Sequence, residues 1–275
     1  MFRGGAAIAA TLAAAAALAA CGEADQAADR NAPVAFARLS PDPVKHGERV
    51  SQVLGCSGCH NKELTGNDWS DELGRLWSAN LTVAAAEYDD LQMKAMIVGG
   101  KRPDGTPLWN MPSHLFTQLA DTDLDAVLAF IRSRPKKGEA HPLPTFGPVL
   151  KAQIAKGELN SADVEVARDG KLWPPDMGET HRLARYMVRA TCAECHQMTL
   201  RGGTPYPGAE PRPDIRIAAS YDIKDFQRLL RTGIAPGERK LGLMGEVARG
   251  RYSHFTDAEI AAIHAYLKEV AARDP

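Results

Sequence analysis

Apolar residues return at helical spacing in four stretches of the chain. Val50, Val53 and Leu54 form the first, and Leu124, Val127, Leu128 and Ile131 the second. Leu183, Tyr186, Met187 and Ala190 form the third, and Ile260, Ile263 and Leu267 the fourth. Each predicts an amphipathic helix with one buried face. The stretches are related in pairs: Asp121 to Phe130 aligns with Asp257 to Tyr266 at an offset of 136, position for position. The same offset carries Leu64 and Gly66 onto Leu200 and Gly202. A fixed period of this kind marks an internal duplication, with each copy opened and closed by a helix. Thr256 with Glu259 adds a capping-box pattern at the start of the last helix. Residues 134–179, with Pro135, Pro142, Pro144, Pro148, Pro174 and Pro175, separate the copies and cannot form one long helix.

The whole chain has 275 residues, enough for about two domains. Its 44% hydrophobic and 24% charged content excludes wholesale disorder, collagen-like repetition and a multi-span membrane protein. With 33 basic and 34 acidic residues there is no global attraction to nucleic acid. The first residues differ from the rest. Arg3 precedes an Ala-rich run, Ala6 to Ala20, too short and weakly apolar for a membrane span, which reads as a secretory signal over residues 1–20. Leu18-Ala19-Ala20-Cys21 resembles the lipobox of bacterial lipoproteins, which implies that Cys21 is lipidated and begins the mature chain. Small polar residues from Gly22 to Pro33 then suit a tether, drawn over 21–44. This predicts an exported, periplasm-facing lipoprotein, and Gly22 after the cysteine favours the outer membrane in the lipoprotein sorting pattern.

The other four of five cysteines form two tight pairs, Cys56-Ser57-Gly58-Cys59-His60 and Cys192-Ala193-Glu194-Cys195-His196. This Cys-x-x-Cys-His form is the attachment pattern of c-type haem. Two sulfurs three residues apart share one helical turn and can form thioethers to one porphyrin edge, while the adjacent imidazole reaches the iron. A thioredoxin-like motif does not require the histidine twice, and a zinc ribbon sets its pairs about 15 to 20 residues apart. Structural disulfides are the remaining bland alternative in an exported chain.

With helices on either side of each motif, the chain resembles the class I c-type cytochromes over residues 45–133 and 180–272. The resemblance implies an all-α fold of two tandem cytochrome c-like domains, 45–133 and 180–275, each enclosing one covalent haem c. The segment 134–179 joins them. Cys56, Cys59, Cys192 and Cys195 would attach the two haems, and His60 and His196 would be proximal ligands. The family also places a methionine before its last helix, for which Met111 and Met244 are the candidates, 51 and 48 residues after their histidines. Pro112 and Gly245 would let these loops expose a thioether. His114 and His254 compete as distal ligands. Trp69, Trp77, Trp109 and several arginines, Arg251 among them, could line a porphyrin or pair with its propionates, but read more simply as core and surface.

His/Met ligation fills both axial positions, which implies electron carriage rather than bond-making chemistry. The expected function is a relay between a periplasmic or membrane dehydrogenase and an oxidase or another cytochrome, as in the similar cytochrome subunits of bacterial membrane dehydrogenases. A di-haem peroxidase is the enzyme alternative, and needs one haem with an open position. A haem gas sensor would need the same, and a cysteine-ligated thiosulfate-oxidising enzyme would need a spare thiol. The two copies differ in charge, with 9 basic and 13 acidic residues over 34–133 against 15 and 11 over 181–275. Opposite fields could dock different redox partners or hold the copies together.

Overall fold

The computed structural model describes residues 34–204 and 209–273. The signal, most of the tether and Cys21 lie outside the described residues.

The first copy is built from α1 (Pro43–Leu54), α2 (Cys56–His60), α3 (Leu81–Glu87), α4 (Asp90–Gly99), α5 (Ser113–Phe116) and α6 (Asp121–Arg132). Asp42 starts α1 by accepting from Val44 N, with Pro43 at the first helical position, and Gly55 ends it in the left-handed region. Val50, Val53 and Leu54 are buried, as are Leu124, Val127, Leu128 and Ile131, because α1 and α6 pack along each other. The second copy follows the same plan with α9 (Arg182–Ala190), α10 (Ala193–His196), α11 (Ile223–Thr232), α12 (Leu243–Gly250) and α13 (Asp257–Arg273). Short 3-10 turns lie at Glu179–His181, Ile215–Ser220 and Tyr252–His254. Helices α9 and α13 pack together, burying Tyr186, Met187, Ile260, Ile263 and Leu267. The capping box at α13 forms in both directions: Thr256 N donates to Glu259 Oε2 at 2.8 Å, and Glu259 N to Thr256 Oγ1 at 3.0 Å.

Residues 134–179 contain α7 (Pro148–Ala155) and α8 (Ala162–Asp169). They also supply Thr145–Phe146 (β2), paired antiparallel with Gly74–Arg75 (β1). A second ribbon joins Ile234–Ala235 (β3) to Arg239–Lys240 (β4). Helix α8 packs against α4 and α5, so this segment covers one side of the first copy rather than merely spanning a gap. Residues 34–42, included in the predicted tether, lie on the fold: Phe36 is only 3% exposed, with its ring 5.5 Å from that of Tyr186. Among the described residues no helix is long and apolar enough to cross a membrane.

A single apolar core runs through both copies. Polar contacts reinforce the seam. Arg49 of α1 pairs with Glu259 of α13 at 2.9 Å, and Tyr186 of α9 donates to Asp123 of α6 at 2.6 Å. Arg189, 1% exposed, donates across the seam to the carbonyls of Leu115 and His114 and to Thr117 Oγ1. It also reaches the carbonyls of Gly170 and Leu172 and lies 5.0 Å over the Trp173 ring.

Candidate functional site

Each Cys-x-x-Cys-His motif sits on a short helical turn immediately after the first helix of its copy. The turns end alike. Asn61 and Gln197 follow the histidines at φ 58° and 62°, and Leu64 and Leu200 both stand at φ 62°. A left-handed leucine costs about 1 to 2 kcal/mol, so its recurrence 136 residues later reflects a loop whose surroundings fix it twice. Both leucines are buried, and their carbonyls accept from Leu81 N at 2.8 Å and Ile215 N at 3.1 Å. Gly66 N and Gly202 N return to the carbonyls of His60 and His196 at 2.9 and 3.1 Å. A Cβ would stand 2.4 Å from Ser78 O at Gly66 and 2.1 Å from Arg212 O at Gly202, which explains why glycine repeats at these positions.

The loop orients the imidazoles. His60 Nδ1 lies 2.7 Å from Ala79 O and His196 Nδ1 lies 2.8 Å from Pro213 O. A carbonyl only accepts, so Nδ1 carries the proton in both rings and Nε2 keeps its lone pair for a metal. Burial, the dominant effect, lowers the pKa of both histidines, and each is neutral at pH 7. The four cysteines beside them are free, with burial pushing the Cys56 thiol up to about 11 and raising the other three. No disulfide links them. Among the described residues no group of three or more His, Cys, Asp or Glu side chains is placed to hold a metal ion.

In the second copy an apolar cavity opens beside the motif. Cys192, His196 and Pro213 line it together with Met244. The rest of the wall is largely Ile215, Ala218, Phe226, Leu230, Ile263 and other apolar side chains. Arg212 lies close enough to His196 to disfavour its protonation, and its buried Nε has no hydrogen-bond partner. The neutral imidazole of His196, the Cys192 thiol, the Met244 thioether and the apolar wall that line the cavity, with the Arg239 guanidinium also on its lining, fit a haem c, a flat apolar ring with an iron and anionic propionates.

The sequence placed Met244 in a loop; the structure places it in the first turn of α12, partly buried against the core. In the first copy, Met111 does occupy an irregular segment, between the Trp109–Ser161 bridge and α5. Met111 and Cys56 both pack against the shared core, and His60 is buried. His114 Nδ1 lies 3.4 Å from Glu165 of α8, and His254 is not among the residues that line the second cavity. Trp109 meets Phe146 edge-on at 4.7 Å, and Trp69 is exposed. Sequence reasoning missed Arg189 altogether and left Arg251 among ambiguous surface cations, although each spans the seam beside a motif. Arg189 precedes Cys192 by three residues, whereas Arg251 is distant in sequence from both motifs and carried no such signal.

Residues 184–271 match the cytochrome c family model, and the chain therefore contains a cytochrome c domain. Three curated proteins are similar over most of its length. The fructose dehydrogenase cytochrome subunit of Gluconobacter japonicus is 25% identical across 84% of this chain and 53% of its own. For the gluconate 2-dehydrogenase cytochrome c subunit of Pantoea cypripedii the identity is 25%, covering 88% of this chain and 64% of the relative. The cytochrome c subunit of the quinone alcohol dehydrogenase of Gluconobacter oxydans is 24% identical, covering 83% and 55%. The chain thus spans between about half and two-thirds of the length of these cytochrome subunits.

Proposed function

We propose that the protein is a two-haem electron carrier. Each copy binds one haem c, through Cys56, Cys59 and His60 in the first and Cys192, Cys195 and His196 in the second. Met111 and Met244 are the distal iron ligands. The observation that carries this reading is the second cavity, where Cys192 and His196 share an apolar enclosure with Met244. The first copy is drawn in by its matching loop, with the same left-handed leucine and the same histidine-to-carbonyl bond.

When bound, the haems supply one-electron exchange between Fe(II) and Fe(III). The chain's own residues do the rest. The carbonyls of Ala79 and Pro213 hold the imidazole Nδ1–H groups, which fixes the rings and raises their basicity toward the metal. The apolar wall excludes water and disfavours the more highly charged oxidised state, and the methionine thioether acts in the same direction. With both axial positions filled, no position is open for peroxide or oxygen.

Similarity to cytochrome subunits of fructose, gluconate and alcohol dehydrogenases supports a role as the electron-accepting partner of a membrane dehydrogenase, passing electrons on to an oxidase or another cytochrome. Such a partner suits the exported, lipid-anchored chain expected from Cys21. The test is the optical spectrum of the purified protein, oxidised, reduced and reduced under carbon monoxide, with haem counted per chain. Two low-spin haems, a thioether-to-iron charge-transfer band and little response to carbon monoxide are expected. A high-spin haem, or one that binds carbon monoxide promptly, would overturn the ligand assignment.

A further inference from the structure

Arg251 follows α12, yet its side chain leaves its own copy. Its Nε donates to Val53 O at 3.3 Å and its Nη2 to Leu54 O at 2.9 Å, at the C-terminal end of α1 just before the first motif. Its Nη1 donates at 2.6 Å to Glu194, the residue that precedes Cys195 inside the second motif. Gly55 makes the approach feasible, since a Cβ there would stand 2.5 Å from Arg251 Nε. Contact therefore runs without a break from Cys56 through Gly55, Arg251 and Glu194 to Cys195. The pair is well shielded, with side chains 14% and 32% exposed.

We propose that the Arg251–Glu194 pair is a positioning element shared by both haem attachment turns, locking one against the other and setting the reduction potentials of both haems together. The proposal rests on the two-haem reading. Reduction adds one electron to each iron and so lowers the positive charge that the pair faces. An unopposed cation at 251 favours the reduced state and an unopposed carboxylate at 194 the oxidised state, with little attenuation by salt because the pair is shielded. One substitution should therefore move two haems in the same direction.

The experiment is a potentiometric titration of the full chain carrying its haems, followed optically, for the wild type, Glu194→Gln, Arg251→Gln and Arg251→Lys. Haem content per chain is measured on each. Glu194→Gln should raise the reduction equilibrium constants of both haems several-fold, a tenfold change being about 59 mV for a one-electron couple. Arg251→Gln should lower both, and Arg251→Lys, which keeps the charge but not the forked donor set, should lie nearer the wild type. Because Glu194→Gln leaves the contacts between Arg251 and α1 in place, it gives the test even if Arg251→Gln fails to assemble. A shift confined to one haem, or no shift in variants that retain two haems, would overturn the proposal. One haem per wild-type chain would instead overturn the two-haem reading, before any variant is compared.

Discussion

Replacing Arg189 by methionine tests whether the two copies form one cooperative body. Methionine keeps much of the unbranched stem and removes every donor. Five acceptors lose a partner: the carbonyls of Leu115, His114, Gly170 and Leu172, and Thr117 Oγ1. The bonds to Leu115 and Gly170 are fully buried; the Gly170 carbonyl keeps the Thr117 hydroxyl as a donor, whereas a buried acceptor left without one, as at Leu115, costs about 1 kcal/mol or slightly more, the shallower ones less. Relief of desolvation works the other way. Burial lowers the Arg189 pKa to about 10, so the folded chain holds this cation at a cost, and no carboxylate is among its hydrogen-bond acceptors. The loss of donors outweighs this relief, because the Leu115 carbonyl facing a thioether would have no donor in its place. The net expectation is a loss of about 3 kcal/mol, at the low end of the range for breaking a buried charged network. For a domain of this size that is about 6 to 12 °C in melting temperature. Arg189→Lys, with three donors, should fall between the two. Calorimetry on the haem-loaded chain measures the order, and Arg189→Met melting with the wild type would refute the argument that this side chain carries the seam.

Met244→Leu should remove the thioether-to-iron band of one haem, leaving that of the Met111 haem, and lower the potential of that one haem while the other is unchanged, as seen by optical and magnetic spectra of the reduced and oxidised protein. Cys21→Ala should move the protein from the membrane fraction to the soluble periplasmic fraction, read by fractionation and blotting. Tyr186→Phe removes the hydroxyl that donates to the fully buried Asp123 and should cost about 1 to 3 kcal/mol in denaturant unfolding. Burial also holds His46 below its ordinary 6.5, so below that pH the unfolded chain gains a proton the folded chain resists, and stability falls as the solution is acidified. His46→Gln should flatten that part of the pH–stability curve. Asp123, raised from 3.8 by burial, has the opposite slope, and in a window that begins at 3.8.

The duplication, the terminal helices, the capping box and the matched loops were legible because each depends on short-range pattern: helical period, a glycine that tolerates no Cβ, a side chain that caps its own helix. Departures occur where distant contacts decide. Helix α12 begins with Gly242 at its cap and contains Gly245, a composition that suits a turn, yet tertiary packing makes the segment helical and carries Met244 into the first turn. Phe36 lies next to a polar tether in sequence, and only its packing against Tyr186 and Phe255 shows that the folded body begins before α1. In residues 134–179 the prolines cluster at the ends, and Pro148 starts a helix rather than preventing one.

Arg189 and Arg251 show why the seam was the least legible part. An arginine at the end of an amphipathic helix normally puts its charge into water and its stem along the surface. Nothing in the local pattern separates that case from a guanidinium aimed at another copy's carbonyls. Yet Arg189 precedes Cys192 by three residues and binds the helix that follows Met111, while Arg251 binds the end of α1 just before Cys56. Each therefore fastens its own copy to the other close to one of the Cys-x-x-Cys-His turns. Carbonyl acceptors demand only that a donor arrive with the right geometry, which two duplicated units can supply with opposite net charges or with none. Where the opposite net charges of the copies steer association with redox partners, the rate should depend on ionic strength.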